Sequence, residues 1–372
     1  MELTEKQKQG LKIAIDRYNE KEKYTCISGY AGSGKSTLIK FIVKSLGLKN
    51  YQVSYIAYTG KAALVLKEKG CPNAQTAHRL LYQSYPKKEG GFIHIPRKTI
   101  ANYKLIVVDE VSMLPNEMWE LLLSHKIHVI ALGDPGQLPP VTGECEILKN
   151  PHIFLDEIMR QAQESEIIRL TMDIRAGKPL QLYKGKEVQI IDKNDVVSGM
   201  FLWADKIICA KNQTRKDINN LVRQYKFNVQ DKKPIDGDSV VCLRNYWHEP
   251  SESGDVLVNG LTGTIKNIRL LNNKMIANFI PEGNEEFDCF EDLTIDYSLL
   301  TDGKETIIKN KKITPLKQFD YGYCITAWKA QGSEYDNVLV FEEDFPFNKE
   351  DHIKYLYTAC TRCRKKLVIV RK

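Results

Sequence analysis

The stretch Gly29-Tyr30-Ala31-Gly32-Ser33-Gly34-Lys35-Ser36 fills every position of the phosphate-loop pattern of Gly, four residues, Gly-Lys-Ser. The chemistry this pattern supports is the cradling of a polyphosphate. Glycines carry no Cβ, so backbone N–H groups at a strand-to-helix turn can close around a β-phosphate, where the helix dipole also favours an anion. Lys35 would reach the β- and γ-phosphates, and the Ser36 hydroxyl would bind Mg²⁺. A second set of acids follows the apolar run Leu105-Ile106-Val107-Val108. Asp109 suits a Mg²⁺ shell held through water, and Glu110 suits the base that orients and deprotonates an attacking water. Gln137, in the turn Gly133-Asp134-Pro135-Gly136-Gln137, either senses a γ-phosphate or is only a turn residue.

These residues need elements to hold them. Tyr24 to Ser28 reads as a strand and Thr37 to Val43 has helical spacing of apolar residues, which puts the loop at a strand-to-helix junction. Residues 4–20 carry a helical stripe at Leu11, Ala14, Ile15 and Tyr18 with Thr4 as N-cap. Gln7 then has two readings: it closes a Thr-x-x-Gln capping box, or its amide reads an adenine edge. A further strand ends in Tyr58-Thr59-Gly60-Lys61, a small polar turn where ligands meet an open α/β sheet. His78 reads on its own as a buried, satisfied histidine. Residues 82–103 break the α/β rhythm, and Tyr85-Pro86 with Gly90-Gly91-Phe92 suggests an inserted β-hairpin or a surface loop.

One such domain leaves the chemistry incomplete, because γ-phosphoryl transfer gains roughly 10³–10⁵ in rate when an arginine reaches the equatorial oxygens. The second half must supply it. Strands at residues 207–211, 323–326, 338–341 and 367–370 resume the α/β pattern there. Between Asp236 and about Pro315 the rhythm is of short strands with Gly and Asn turns, as in a small inserted β-barrel.

Composition agrees with two or three domains in 372 residues, 42% of them hydrophobic and 27% charged. Lys and Arg outnumber Asp and Glu by 54 to 47, a net +7 that mildly favours a polyanionic partner. No apolar run approaches the ~20 residues of a membrane span, so a soluble, cytoplasmic protein is expected. Nine scattered cysteines point to reduced thiols, and Cys360 and Cys363 lack further ligands at zinc spacing.

In this order, these stretches resemble a superfamily 1, class B DNA helicase of the RecD-like and Dda-like kind over almost the whole chain. By that resemblance Gly29 to Ser36 is motif I, Thr59-Gly60-Lys61 belongs to motif Ia and Gln75 to Leu81 to motif Ib. Asp109-Glu110 resembles motif II, Gly133 to Leu138 motif III, Met159-Arg160-Gln161 motif IV, Trp328 to Glu334 motif V, and Tyr357 to Arg362 motif VI. The implied fold is α/β, with two RecA-like phosphate-loop domains built on parallel sheets. Residues 1–150 would form the first and residues 151–235 with 316–372 the second, with a pin hairpin at about 82–103 and a barrel at 236–315. The family's two γ-phosphate arginines fall on Arg160 and Arg362, and Gln7 falls on its adenine contact. The nucleotide site would further use Gly29, Gly32, Ser33, Gly34, Thr37, Gln331, Gly332 and Glu334.

The resemblance also implies the cofactors ATP and Mg²⁺, a 5′-to-3′ polarity, and single-stranded DNA and duplex forks as partners. Tyr58, Thr59, Lys61, His78, Phe92 and Trp328 would meet the nucleic acid. A monomer is expected, with a single-strand binding protein or replication and recombination proteins as candidate partners. Two positions depart from the family: Trp328 stands where histidine is usual, and Tyr58 where proline is usual. Each offers an aromatic face, and base stacking is worth ~1–3 kcal/mol. Competing readings are a RecD-like motor subunit of a nuclease assembly, an RNA-tracking or protein-stripping translocase, and a phosphate-loop kinase or GTPase switch. The chain has no Asn-Lys-x-Asp guanine reader to support the last.

Overall fold

In a computed structural model of the chain, the described residues are 3–71, 73–86, 92–100, 102–140, 145–157, 164–250, 256–271, 274–282, 289–302, 316–344 and 348–372. The first half contains β1 (Tyr24–Gly29), β2 (Val53–Ala57), β3 (Ala74–Thr76), β4 (Tyr82–Pro86), β5 (Phe92–Pro96), β6 (Leu105–Val108), β7 (His128–Gly133) and β8 (Ile153–Leu155). Six of these form a parallel sheet in the order β3-β2-β6-β7-β1-β8. Its central strands are buried on both faces, which is why they read as unbroken apolar runs rather than alternating ones. Helices Glu5–Asn19, Lys35–Ser45 and Gly60–Glu68 cover one face through Ala14, Leu38, Ile42 and Leu66. Helices Ala77–Leu81 and Asn116–Ser124 cover the other through Leu80, Leu81, Trp119 and Leu122.

The sheet takes its last strand from beyond residue 150, the expected boundary. Ile27 pairs with Ile153 and Gly29 with Leu155. Without β8 the phosphate-loop strand would expose a row of unpaired backbone groups, so residues 151–155 belong with the first half. Among the described residues β4 and β5 pair only with each other, from Tyr82↔Pro96 to Pro86↔Phe92, and stand outside the sheet. Residues 87–91 and 101 of this expected insertion lie outside the described set.

The second half contains β9 (Tyr183–Lys184), β10 (Val188–Asp192), β11 (Lys206–Cys209), β12 (Ser239–Cys242), β13 (Tyr246–Pro250), β14 (Val256–Leu257), β15 (Thr262–Leu271), β16 (Lys274–Pro281), β17 (Phe290–Asp296), β18 (Phe319–Tyr321), β19 (Cys324–Thr326), β20 (Tyr335–Phe341) and β21 (Cys363–Arg371). A second sheet runs β19-β11-β20-β21-β10-β9, parallel except at β9. Helices Glu166–Arg175 and Lys349–Cys360 cover one face and helix Asn212–Phe227 the other. Leu138, from the first half, is 1% exposed in the core under helix Lys349–Cys360, so the two halves share packed surface.

A third, antiparallel sheet runs β17-β16-β15-β12-β18, and a bridge from Ile295 to Lys317 brings its ends together around Met275, Phe279 and Phe319. It extends past residue 315, the expected end of this unit, because Val240 of β12 pairs with Tyr321 of β18. Arg223 and Asp238, 1% and 0% exposed, tie it to helix Asn212–Phe227 at 2.9 Å. The Tyr323 hydroxyl donates to the same carboxylate at 3.0 Å.

Candidate nucleotide and nucleic-acid site

The phosphate loop joins β1 to helix Lys35–Ser45, whose N-cap is Gly34 and has no side-chain cap, so the first N–H groups point out of the helix end. Gly32 and Gly34 have φ of +79° and +78°, a region glycine enters without strain. A Cβ at Gly29 would stand 2.7 Å from Ser33 Oγ and 2.8 Å from Leu155, which closes that position to other residues. The Lys35 ammonium donates to Gly29 O at 2.6 Å and Tyr30 O at 3.0 Å, across the mouth of the loop. Ser36 is exposed and Thr37 half-buried on the first turn.

Gln7 closes the capping box, the first of its two expected roles, and its amide also meets the phosphate loop. Its carboxamide oxygen accepts from Thr4 N–H at 3.0 Å, closing the capping box, and its Nε2 donates to Ser33 O at 3.0 Å. The residue is 1% exposed, so helix Glu5–Asn19 is fastened to the loop through it.

Asp109 and Glu110 follow β6, and Gln137 follows β7, so all three gather at the same sheet edge as the loop. Glu110 has φ of +51°, a left-handed conformation that costs a non-glycine residue ~1–3 kcal/mol and is retained where the surroundings require it. Its N–H donates to Asp109 Oδ1 at 3.1 Å. Burial first, and the Glu110 charge second, push the Asp109 carboxyl up to about 6, while Lys35 pulls it down. Crowded, all-oxygen donors of this kind fit a Mg²⁺ ion, which takes carboxylate and hydroxyl oxygens. Ser33 Oγ, Gln137 Oε1 and Gln331 Oε1 are buried with no hydrogen-bond partner among the described residues, which fits a polar ligand at this edge.

Arg362 completes the edge from the second half. It is 5% exposed, with Nε donating to Thr358 O at 3.1 Å and Nη1 3.7 Å from Glu110 Oε1. Gln137 Nε2 meets the same Glu110 oxygen at 3.4 Å. Arg160, expected beside Arg362, lies outside the described residues.

Motif V lies against the turn that follows Gln137. Gln331, 1% exposed, donates from Nε2 to Leu138 O at 3.0 Å, and Trp328 donates from Nε1 to Pro139 O at 3.1 Å. Gly332 has φ of +74° and room for no Cβ, which would stand 2.5 Å from Ala62. Glu334 pairs with Lys69 at 3.2 Å, at the far end of helix Gly60–Glu68. Thr59 caps that helix through Ala62 N–H at 3.2 Å, and Lys61 is half-buried in its first turn. His78 sits among aromatic rings, with centroids 5.7 Å from Tyr58, 5.8 Å from Tyr82 and 6.2 Å from His94. Burial, then His94, lowers its pKa, so the ring is held neutral. Phe92 is the first residue of β5; its side chain lies outside the described set.

Residues 2–199 match a family model described as an AAA domain, and residues 321–370 match the UvrD-like helicase C-terminal domain. The chain belongs to the RecD/Pif1-like group of superfamily 1B helicases. An ATP-dependent RecD2 DNA helicase of Deinococcus radiodurans is 28% identical over 368 residues, covering 91% of this chain and 45% of that protein. The ATP-dependent DNA helicase dda of Enterobacteria phage T4 is 29% identical over 268 residues, covering 64% of this chain and 61% of that one. The chain thus spans less than two thirds of either relative's length. A crystal structure of Pif1 helicase from Bacteroides in complex with ADP-AlF3 and ssDNA superposes with a TM-score of 0.57 at 19% identity, covering 100% of this chain and 92% of that one. That likeness establishes the fold: this helicase-family chain has an α/β architecture with parallel sheets like those of Pif1. No helix among its described residues is long and apolar enough to cross a membrane.

Two residues of this seam make contacts that carry no signal in the sequence. The Tyr357 hydroxyl bridges Ala31 and Asp134, and Arg175 lies over Tyr30. Motif VI marks the neighbourhood of Tyr357, and nothing local marks Arg175.

Proposed function

We propose that this chain is an ATP-dependent DNA helicase and single-stranded DNA translocase moving 5′ to 3′, with hydrolysis stimulated by DNA. The observation that carries the reading is the meeting of Arg362 with Glu110 and Gln137, because a hydrolytic site divided between two domains makes turnover depend on their relative position. The relatives named as ATP-dependent DNA helicases support the activity, and the Pif1 complex with ADP-AlF3 and ssDNA supports both ligands.

Lys35 and the loop amides would hold the β- and γ-phosphates, leaving the chain's own carbonyls for the triphosphate. Ser36 and Asp109 would hold Mg²⁺, which would supply charge neutralisation on the phosphate oxygens. Glu110 would take the proton of the attacking water, Gln137 would orient it, and Arg362 with Arg160 would offset the charge that develops on the transferred group. Gln7 would hold the loop from behind and meet the adenine edge, while Gln331, Gly332 and Glu334 carry the second domain's share of the seam.

Single-stranded DNA would cross the tops of both sheets, past Tyr58, Thr59, Lys61, His78 and Trp328. Thr59 and Gly332 meet at a seam between the domains, so closure would move two grips relative to each other. The β4–β5 hairpin would act as the pin at the fork, and the closed antiparallel sheet would hold the strand against the second domain.

Strand displacement with Mg-ATP on duplexes carrying only a 5′ or only a 3′ single-stranded tail tests this. Unwinding from the 5′ tail alone is expected. Unwinding from the 3′ tail would overturn the polarity, and absence of DNA-stimulated hydrolysis would overturn the activity. Matched RNA tails separate DNA from RNA as the track.

A further inference from the structure

Two side chains of the second half touch the phosphate loop itself, from its outer side. Tyr357, in helix Lys349–Cys360, is 1% exposed. Its hydroxyl accepts from Ala31 N–H at 3.0 Å and donates to Asp134 Oδ2 at 2.6 Å. A phenol has one proton to give and a backbone N–H can only donate, which fixes both directions. Asp134 is fully buried, and its other oxygen accepts from Gly136 N–H at 2.9 Å. Tyr357 is therefore half of what satisfies that carboxylate. A Cβ at Gly136 would stand 3.0 Å from the Tyr357 ring, so ring and turn are in direct contact, one residue before Gln137.

Arg175, the last residue of helix Glu166–Arg175, makes an independent contact. Its guanidinium carbon lies 3.2 Å from the Tyr30 ring centroid, stacked on the residue before Ala31. Phe154 meets Tyr30 edge-on at 4.9 Å, so that ring is held from both halves of the chain.

We propose that Tyr357 and Arg175 are positioning residues through which the second domain braces the phosphate loop and fixes the Asp134–Gln137 turn. This rests on the ATPase reading above. A loop with glycine at positions 29, 32 and 34 has few side chains to set its own shape, and aligned donors help a transition state only when held in place beforehand. Tyr30 and Ala31 are the side-chain-bearing residues that open the loop, and both are held from across the seam. Parting of the domains removes three contacts together: on Tyr30, on Ala31 and on Asp134. Loop geometry is thereby tied to domain closure without any residue that touches the γ-phosphate.

Tyr357→Phe removes the hydroxyl and keeps the ring; Arg175→Ala removes the cation, and Arg175→Lys keeps charge but not planar stacking. For Tyr357→Phe and Arg175→Ala, DNA-stimulated kcat is expected to fall about tenfold to a hundredfold, as misplacement of reacting groups does. Single-strand affinity and affinity for a fluorescent ADP analogue should stay within about twofold of the parent, with Arg175→Lys intermediate in rate, while the melting temperature of Tyr357→Phe should drop modestly because the buried Asp134 carboxylate loses a donor. Hydrogen–deuterium exchange of the peptide containing Ala31 should accelerate in Tyr357→Phe, a readout that needs no turnover. Unchanged exchange in Tyr357→Phe, or parental kcat in both variants, overturns the proposal. So does a kcat loss matched by an equal loss of nucleotide affinity. A parent chain without DNA-stimulated hydrolysis sinks the helicase reading instead, and the exchange measurement then still decides the brace.

Discussion

Arg362 Nη1 stands 3.7 Å from Glu110 Oε1, although one residue ends a helix of the second domain and the other follows a strand of the first. The guanidinium is fixed by its own helix end, with Nε on Thr358 O and Nη2 on Thr361 Oγ1. Its Nη1 faces the first domain. Gln137 reaches the same carboxylate at 3.4 Å, so a candidate base, a sensor and a cation share one point.

Glu110→Gln should retain Mg-ATP binding and lose DNA-stimulated hydrolysis by roughly 10²–10⁴, the usual worth of a general base. The amide keeps the side chain's length, so Arg362 and Gln137 retain a neighbour of the same size. Turnover near the parental rate would remove Glu110 from that role.

Arg362→Ala should lower hydrolysis by roughly 10³ or more while leaving nucleotide-free single-strand affinity near the parental level. Arg362→Lys should recover little, because a point charge cannot hold Thr358, Thr361 and Glu110 at once. Normal hydrolysis in Arg362→Ala, measured beside single-strand binding by anisotropy, would make the residue structural.

The parts of this site legible in the sequence are those written locally. Eight consecutive residues specify the phosphate loop, and a buried apolar strand ending in two acids specifies Asp109 and Glu110. Of the two readings of Gln7, the cap three residues away is local and present, whereas its bond to Ser33 spans 26 residues and belongs to neither reading. Tyr357 on Ala31 and Arg175 on Tyr30 depend on how two domains meet, which no periodicity encodes. The positive φ of Glu110 was equally silent, since glutamate has no preference for that region. Boundaries slipped for a related reason. β8 and β18 are three-residue strands, too short for a pattern, and each is assigned by the neighbour that needs it.

Asp238→Ala should destabilise the second domain by ~3–5 kcal/mol, because it leaves Arg223 buried without its carboxylate. Arg223 also donates to Asp231 O and Lys233 O, so its charge cannot swing to solvent. Urea denaturation followed by circular dichroism measures this. The double variant Arg223→Met, Asp238→Leu should recover part of the loss, since the Tyr323 hydroxyl and Ile235 N–H still lose their acceptor; a double variant no more stable than the single one would mean that the unpaired charge is not what destabilises it.

Acid should weaken the fold through its histidines. Burial is the first cause lowering the pKa of His78, His128 and His152 below the ordinary 6.5. His128 is held by Glu22 O at 2.7 Å and Thr25 Oγ1 at 3.1 Å. The unfolded chain takes up protons first as pH falls through about 6.5, so stability is full above that value and declines toward the lower folded pKa. The Asp109 carboxyl, pushed up to about 6, acts in the opposite direction over the same range, so the histidine share is read from denaturation midpoints of the parent and of His128→Gln at pH 7.5, 6.5 and 5.5. On acidification the parent should lose stability relative to His128→Gln, and a gain relative to that variant would contradict the sign.

Splitting a duplex should be separable from moving along a strand, and the β4–β5 hairpin is where the two part. A motor advancing on one strand needs a rigid obstacle at the fork. Tyr85 and Ile93 lie directly opposite each other across the ladder, 44% and 47% exposed, an apolar pair facing solvent on a hairpin that no third strand among the described residues supports. Such a pair gains nothing for the core, whereas an aromatic face against the last base pair is worth ~1–3 kcal/mol. At the base, Tyr82 and His94 pack with His78, which anchors the hairpin beside Tyr58 at the sheet edge. Replacing residues 86–91 by a shorter turn, together with Phe92→Ala and Tyr85→Ala, should therefore leave DNA-stimulated ATPase intact and abolish unwinding. Streptavidin displacement from a biotinylated single strand, run beside a forked duplex, reads the two activities separately. Displacement without unwinding is the expected result. Equal loss of both would mean the hairpin is structural, and intact unwinding would move the wedge elsewhere on the chain.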